Sequence, residues 1–148
     1  MPEAAQAQIF VSHNGDDTIS EYNLDGTTVN TALVSGLSTP SGIAVAGGEI
    51  FVANRGSSTI GEYNLDGTPV NAALIPVENP FFMAAAGGDL FVTDGNGIGE
   101  YTTSGTTVDA SLVPGDGAGI AVVAPEPTMP ALAVVGGLSL LLLRRRRK

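Results

Sequence analysis

Short apolar runs, each broken by glycine, asparagine or aspartate, recur along most of the chain. The segment "IFVSHNGDDTISEYNLDGTTVNTALV" at 9–34 aligns with "IFVANRGSSTIGEYNLDGTPVNAALI" at 50–75, an offset of 41 residues. A third copy, "LFVTDGNGIGEYTTSGTTVDASLV", covers 90–113 with a two-residue deletion after Gly97. Self-similarity at a period of about 40 residues indicates a repeat architecture.

Each repeat predicts four short strands. The second repeat supplies them as "GIAVA", "IFVAN", "TIGEYN" and "TPVNAALI", which are rich in β-branched residues and separated by turn residues. Gly47-Gly48 and Gly87-Gly88 predict two-residue hairpins between strands one and two, because glycine adopts the positive φ that such turns need. The Asp-Gly pair in "NLDGT", at 23–27 and 64–68, predicts a hairpin between strands three and four. Four antiparallel strands in about 40 residues are typical of a β-propeller blade.

The repeat resembles the NHL-type and related propeller repeats over roughly 9–123. The resemblance implies the architecture but not an activity, since propellers host many functions. The residues that carry the pattern in the second repeat are Pro40, Gly42, Ile43, Val45, Ile50, Val52, Asn54, Ile60, Tyr63 and Gly67.

The number of repeats leaves the closure of the propeller open. Closed propellers have about 4–8 blades, and this chain predicts about three. The repeats start on strand two (Ile9–Ser12) and end on a predicted strand one (Gly119–Val123), a phase in which a terminal strand could complete the first blade. An open three-blade array, two chains forming a six-blade ring, and a truncated product of a longer gene are all compatible with this pattern. We favour an open or shortened array, whose unpaired edges would promote self-association.

Charge is distributed very unevenly. Residues 1–127 contain all 15 acids and one cation, Arg55, which gives this part a net charge of −14. A body this acidic is not expected to bind nucleic acid, because it cannot neutralise phosphates. The chain has no cysteine, which excludes disulfides and thiol catalysis.

The C-terminal residues predict a transmembrane helix. Thr128–Leu143 contains 16 residues without a charge. As a helix this run would be about 24 Å long, slightly shorter than a hydrocarbon core of about 30 Å. The arginines that follow can snorkel to the interface and should remain cytoplasmic, which places residues 1–127 on the outer side.

The region 124–148 as a whole resembles the PEP-CTERM protein-sorting signal of Gram-negative bacteria. The resemblance implies recognition by an exosortase-type enzyme, processing near the motif, and transfer from the inner membrane to the cell surface or medium. Proteins of this kind are associated with exopolysaccharide and biofilm. The motif residues are Pro125, Glu126 and Pro127, the span is 128–143, and the basic end is Arg144, Arg145, Arg146, Arg147 and Lys148.

Export would also need a leader. Residues 1–8, "MPEAAQAQ", have neither a basic nor an apolar region of a signal peptide. Ala5 and Ala7, with one residue between them, do fit the small-x-small form of a signal-peptidase site. Our hypothesis is that 1–8 is the remnant of a signal peptide whose start lies upstream; the alternative is a flexible, alanine-rich start.

Candidate catalytic and metal-binding residues are few. His13 is the only histidine, and we interpret it as a surface turn residue rather than part of a triad. The oxygen-bearing residues of the strand two-to-three turns should share one rim of the array, but they do not match the calcium-loop pattern and are interpreted as solvated. Asp25 and Asp66 are interpreted in the same way. The rim residues are Asn14, Asp16, Asp17, Asp94 and Asn96.

Aromatic residues also recur at the repeat spacing. Tyr22, Tyr63 and Tyr101 could stack sugars on an exposed face, but we interpret them as filling equivalent positions between blades. The equivalent phenylalanines, Phe10, Phe51 and Phe91, are predicted to be core residues.

Together these features predict an exported, surface-sorted, non-enzymatic repeat protein that acts as a matrix or binding module. Its expected partners are the processing enzyme, the membrane and an exopolysaccharide, and no cofactor or metal is expected. The alternatives are a metal-dependent lyase or lactonase built on a propeller, and a fragment of a longer propeller protein.

Overall fold

The protein consists of antiparallel β-sheets. A computed structural model describes residues 7–115, 117 and 119–123. Each sheet is a meander, with its strands in the order of the sequence. The first sheet contains β1 (Gln8–His13), β2 (Thr18–Asn23) and β3 (Thr28–Val34). The second contains β4 (Pro40–Ala46), β5 (Glu49–Asn54), β6 (Thr59–Asn64) and β7 (Pro69–Pro76). The third contains β8 (Met83–Ala86), β9 (Asp89–Thr93), β10 (Gly97–Thr102) and β11 (Thr107–Pro114).

We call these sheets blades 1, 2 and 3. The predicted four-strand unit is confirmed in blades 2 and 3, and the predicted all-β, partial-propeller architecture is confirmed with it. The glycine hairpins form as expected: Gly47 and Gly48 have φ values of 62° and 88°, which only glycine adopts without strain.

Turns between strands three and four are closed by side-chain hydrogen bonds. In blade 2, Asp66 Oδ1 accepts from the backbone N–H of Thr68 at 2.9 Å and from its hydroxyl at 2.6 Å. These bonds lower the pKa of the Asp66 carboxyl, the hydroxyl contributing most. Asp25 and Thr27 repeat the arrangement in blade 1. Both aspartates therefore stabilise turns, in agreement with their interpretation as solvated turn residues.

Adjacent blades pack through apolar residues of their facing sides. Burying each large apolar side chain stabilises the array by about 1.5–3 kcal/mol. The blade 1–blade 2 cluster contains Ile19, Val34, Leu37, Ile50, Val52 and Tyr63. The blade 2–blade 3 cluster contains Phe51, Ile60, Ile75, Leu90, Val92 and Tyr101, among others.

In blades 2 and 3 the strand three-to-four turn also docks on the preceding blade. Gly67 has φ +85°, and a side chain there would collide with the backbone carbonyl of Leu33 on β3. Gly105 lies in the same way against Leu74 on β7, 3.0 Å from its Cδ1 to an ideal Cβ. Two successive interfaces therefore use the same contact.

One predicted strand does not form. Residues 119–123 align with β4 in the repeat, but they belong to no sheet. The physical reason is that a strand needs a partner, and the 119–123 segment is not hydrogen-bonded to β1, the edge of blade 1.

Within the described part of the chain, no helix is long and apolar enough to cross a membrane. The predicted span, 128–143, lies outside the described residues.

Candidate functional site

Loops from all three blades meet at one end of the array, which we call the upper rim. It comprises the strand two-to-three loops (14–17, 55–58 and 94–96) and the loops between blades (35–39 and 77–82). Backbone hydrogen bonds connect these loops: Gly56 N donates to Ser38 O at 3.0 Å, and Val77 N donates to Ser58 O at 3.1 Å. The rim loops therefore hold one another in position through backbone hydrogen bonds.

Two adjoining grooves open on the upper rim. Groove A, of about 360 Å³, lies between blades 2 and 3, and groove B, of about 330 Å³, lies over the start of the inner strands. Arg55 and Phe81 line both. Groove A is otherwise lined by Glu78, Asn79, Asp94, Gly95 and Asn96, and groove B by Ser12, Asn14, Thr39, Pro40, Ser41 and Phe82.

Arg55 is the central charged group of this site. Its guanidinium lies over the ring of Phe81, with Cζ 4.1 Å from the ring centroid. A cation–π contact at an exposed site contributes about 0.5–1 kcal/mol and fixes the orientation of the guanidinium. Among residues 1–127 Arg55 is the only Lys or Arg, so the positive charge of the body is concentrated where the two grooves meet.

Phe81 and Phe82 occupy positions where the repeat has small residues. Blade 2 has Ser41 and Gly42 in their place. An ideal Cβ on Gly42 would lie 2.6 Å from Phe81 O, which shows how closely β4 approaches the start of β8. Because the backbones are this close, the Phe82 side chain has no room between them and remains 44% exposed at the groove.

Thr93 holds the two phenylalanines in place. It is fully buried, and its hydroxyl accepts from Phe82 N at 3.0 Å. Phe81 N donates to Thr93 O at 2.8 Å, and Thr93 N donates to Phe82 O at 2.9 Å. Three hydrogen bonds to Thr93 thus hold the backbone that carries the two rings, which favours a preformed surface.

The serine hydroxyls of groove B are used in the structure. Ser12 Oγ donates to Ser41 O at 2.6 Å, and Ser41 Oγ donates to Pro80 O at 3.1 Å. No base lies on either hydroxyl in these contacts, so neither serine is set up as a nucleophile. They join the inner edges of neighbouring blades.

The predicted rim residues lie where the repeat places them but do not converge. Asp17 Oδ1 accepts from Thr39 N at 2.8 Å, and Asp94 Oδ1 accepts from Asn96 N at 2.9 Å. Asn14 lies in groove B, Asp94 and Asn96 lie in groove A, and Asp16 is an exposed turn residue. In the described residues no group of three metal-ligating side chains could hold an ion.

His13 lies at the end of β1 and lines neither groove. It is half-buried, and its Nε2 is buried without a hydrogen-bond partner among the described residues. The interpretation as a surface turn residue is therefore too simple, because the ring nitrogen is turned away from water.

Two of the three repeated tyrosines are packing residues between blades, as predicted, whereas Tyr22 is half-buried. Tyr63 and Tyr101 are 5% and 4% exposed and belong to the two inter-blade clusters. Burial raises the pKa of the Tyr63 phenol, against a hydrogen bond with Asn54 that lowers it. Burial and the negative charge of Asp94 raise the pKa of Tyr101. Among the equivalent phenylalanines Phe51 is fully buried, whereas Phe10 and Phe91 are half-buried.

Most of the predicted processing residues lie outside the described part of the chain. These are Ala5, the motif Pro125–Glu126–Pro127 and the basic end Arg144–Lys148. Ala7 is described and is exposed directly before β1.

Arg55, Phe81 and Phe82 were not among the residues selected from the sequence. The available signal was their departure from the repeat. Arg55 aligns with Asn14, and the Phe81–Phe82 pair aligns with Ser-Gly. Where the backbone follows the repeat and the side chain does not, the difference reflects the local surroundings of that side chain.

Comparisons with known proteins identify the architecture. No protein family matched the sequence, and no curated protein matched it. Among solved structures, a streptogramin B lyase matches with 25% identity and a TM-score of 0.56, covering 70% of this chain and 36% of the lyase. A gluconolactonase from Xanthomonas campestris matches with 16% identity and a TM-score of 0.58 over 69% and 36% of the two chains. A chain of the nidogen–laminin complex matches with 18% identity and a TM-score of 0.58 over 69% and 41%.

Two consequences follow from these matches. The chain spans only about 36–41% of the length of these proteins, which fits a fragment of a longer propeller. The prediction that the chain is not an enzyme is contradicted, because a lyase and a lactonase are among the proteins with this architecture. The scarcity of histidines was an insufficient reason to exclude catalysis.

Proposed function

We propose that the chain is an exported, surface-sorted propeller protein that binds a neutral or sparsely charged exopolysaccharide in grooves A and B. The observation that supports it is the position of Arg55, the only cation of the body, stacked on Phe81 where the two grooves meet. Aromatic rings beside amide and hydroxyl groups are the usual composition of a site for a polar organic ligand.

The charge of the body narrows the ligand class. A net charge of −14 over residues 1–127 repels a polymer that carries one negative charge per sugar. Arg55 can still pair with a single carboxylate or donate hydrogen bonds to ring and hydroxyl oxygens. The exposed ring of Phe82 offers an apolar face on which a sugar ring can lie.

Ligand binding can be tested by calorimetry with two defined probes. Dextran oligosaccharides represent the neutral class, and alginate oligosaccharides represent the densely charged class. We expect dextran to bind more tightly than alginate, and Arg55→Gln and Phe82→Ser to weaken dextran binding about tenfold. Leu65→Ser is the matched control, because Leu65 is 38% exposed at the opposite end of the blade. Equal affinity of all variants, or preference for alginate, would contradict the proposal.

Sorting is a separate part of the proposal. Its support is the motif, apolar span and basic end at 124–148, which occur in the order of a sorting signal. The intact mass of the chain should end near Pro127 in surface or medium fractions when an exosortase-type enzyme is present. A full-length chain in the membrane with and without that enzyme would show that the tail is only an anchor.

A lyase or lactonase type of reaction is the second candidate. It is favoured by the 25% identity to a streptogramin B lyase and by Glu78 and Asp94, which line groove A with Arg55. In a lyase reaction, a carboxylate could remove a proton next to a carbonyl while the guanidinium stabilises the enolate oxygen; the enolate would then re-form the carbonyl and expel the group on the next carbon. In a lactonase reaction, the carboxylate could take a proton from the water that attacks the carbonyl carbon; the ring C–O bond would break and the proton would pass to the leaving oxygen. Turnover of a gluconolactone or of a streptogramin B that is lost in Asp94→Asn and in Arg55→Gln would support this candidate. Loss on chelation would make it metal-dependent.

A further inference from the structure

Both internal interfaces of the array use the same residues of the repeat. The strand-two residues Ile50 and Leu90 are fully buried where their blades meet the preceding blade. Opposite them, the preceding blade contributes the last apolar residue of its outer strand: Val34 is 4% exposed and Ile75 is fully buried. The array therefore contains two copies of one interface. We call the surface around the strand-two residue (Ile50 or Leu90) the donor side, and the surface around the last apolar residue of the preceding outer strand (Val34 or Ile75) the acceptor side.

The acceptor side is repeated on blade 3, where it has no partner among the residues that the structure describes. Leu112 and Val113 align with Leu74 and Ile75, yet they are 42% and 48% exposed. Every residue of β11 is exposed, whereas β3 and β7 each have a buried residue at this end. Blade 3 thus offers the apolar residues that the other two blades bury beneath the following blade.

The donor side is repeated on blade 1, again with no partner within the described part of the chain. Ile9 aligns with Ile50 and Leu90 but is 39% exposed. Gly26 aligns with Gly67, which touches the preceding blade, but nothing lies within 4 Å of an ideal Cβ on Gly26. Tyr22 is half-buried where Tyr63 is 5% exposed.

We propose that two copies of this chain join head to tail, blade 3 of each against blade 1 of the other. The contact repeats the internal one, so the occupant of each end is the opposite end of a second copy. Two copies place six blades in the ring, within the range of about 4–8 in closed propellers, whereas three copies would place nine. A head-to-tail contact that closes gives a ring instead of a filament. The inference does not depend on the ligand of the grooves.

The unpaired segment 119–123 fits the same arrangement. Its sequence, "GIAVV", repeats "GIAVA" at 42–46, the inner strand of blade 2. Blade 1 is the sheet whose inner edge, β1, has no neighbouring strand among the described residues. In blade 2 Ala44 pairs with Phe51, so Ala121 of one copy should pair with Phe10 of the other. Pairing would cover the exposed edge of β1.

Single and mixed variants of the full chain in detergent micelles test this geometry by light scattering. Ile9→Lys and Leu112→Asp each place a charge in both interfaces of a dimer and should weaken dimerisation at least about thirtyfold, the change that about 2 kcal/mol produces. Mixing the two variants should restore the dimer, because one interface is then unmodified and the other pairs lysine with aspartate.

Val108→Asp is the matched control. It adds the same charge on the same strand. Val108 aligns with Val70, which is 48% exposed in blade 2 between two neighbouring blades, and with Val29, which is 51% exposed in blade 1 beside one neighbouring blade. The control should dimerise as the unmodified chain does. Because Ile9 and Leu112 are exposed in the single chain, their variants should keep the β-sheet circular dichroism signal.

Several results would overturn the proposal. An unmodified chain that is monomeric at micromolar concentration would do so, and so would dimers that persist in both single variants, which would indicate association through the tail. A Leu112→Asp variant that dimerises alone would indicate contacts between like ends. In the dimer, β1 amides should exchange hydrogen at least tenfold more slowly than in the Ala121→Pro variant, and equal exchange would exclude the strand pairing.

Discussion

Two neighbouring carboxyl groups in blade 2, one of them buried, allow a quantitative test of the structure. Glu62 is 8% exposed on β6. Burial raises the pKa of its carboxyl, and a hydrogen bond and charge repulsion from Glu49 on the adjacent strand β5 raise it further. Blade 1 has a different pair at these positions: Gln8 Nε2 donates to the carboxylate of Glu21. The substitution Glu49→Gln would give blade 2 the pair that blade 1 already has.

The expected gain follows from what the substitution removes and adds. It removes a like charge beside a buried carboxylate and adds an amide donor, each of which contributes on the order of 0.5–1 kcal/mol. We expect the free energy of unfolding at pH 7.5 to rise by about 1 kcal/mol and the melting temperature by about 4 °C. Thermal unfolding of the full chain, followed by circular dichroism in detergent, measures both.

The stabilisation that Glu49→Gln produces should be larger at pH 7.5 than at low pH. Because the folded-state pKa of Glu62 lies above its ordinary value of 4.5, the folded protein binds more protons than the unfolded chain between these two values. The free energy of unfolding therefore falls as the pH rises through the folded pKa. Glu49→Gln should relieve this loss at pH 7.5 and have little effect below about pH 4.

The control removes a charge where no buried partner exists. Asp16→Asn changes the same net charge at an exposed turn residue, and we expect less than about 0.5 kcal/mol. If Glu49→Gln stabilises no more than this control, or keeps its effect at pH 4, the two carboxyl groups do not interact as described.

Two further predictions concern the blade interface and the rim. Gly67→Ala should lower the free energy of unfolding by about 2–4 kcal/mol, because it adds a collision with the preceding blade to the strain of a positive φ. Gly26→Ala should lower it by only about 1 kcal/mol, because that position has the strain without the collision. Urea unfolding of the monomer measures both losses, and equal losses would refute the turn contact. The phenol of Tyr101 should titrate above pH 10, and Asp94→Asn should lower its pKa by removing a negative charge. Carbon-13 NMR of ring-labelled tyrosine measures that shift, and an unchanged pKa would show that Asp94 does not act on the phenol.

The strands could be predicted because their determinants are local. Gly47 and Gly48 fix a hairpin through their own φ values, and Asp66 closes a turn with a residue two positions away. The segment 119–123 shows where this reasoning ends. It has the composition of β4, but no described strand of this chain pairs with it, and composition cannot supply a partner.

The site was missed for a related reason. Residue types alone single out His13, the only histidine, and not Arg55, the only arginine of residues 1–127. Arg55 gains its importance from Phe81, 26 positions later in the sequence, and the two meet only because blades 2 and 3 bring their loops to one rim. The exclusion of an enzyme rested on the same count and failed with it.

Equivalent positions of the three blades can be compared with one another, and this comparison distinguishes the rim from the two ends of the array. At the rim, equivalent backbone positions carry different side chains, such as Phe82 where blade 2 has Gly42, and the difference marks a place adapted to something outside the repeat. At the ends, equivalent side chains have different exposure, such as Ile9 at 39% and Ile50 at zero. Residues that are the same but not equally buried lack the neighbour that their equivalents have. The first comparison supports the proposed ligand site in the grooves, and the second supports the proposed contact between two copies of the chain.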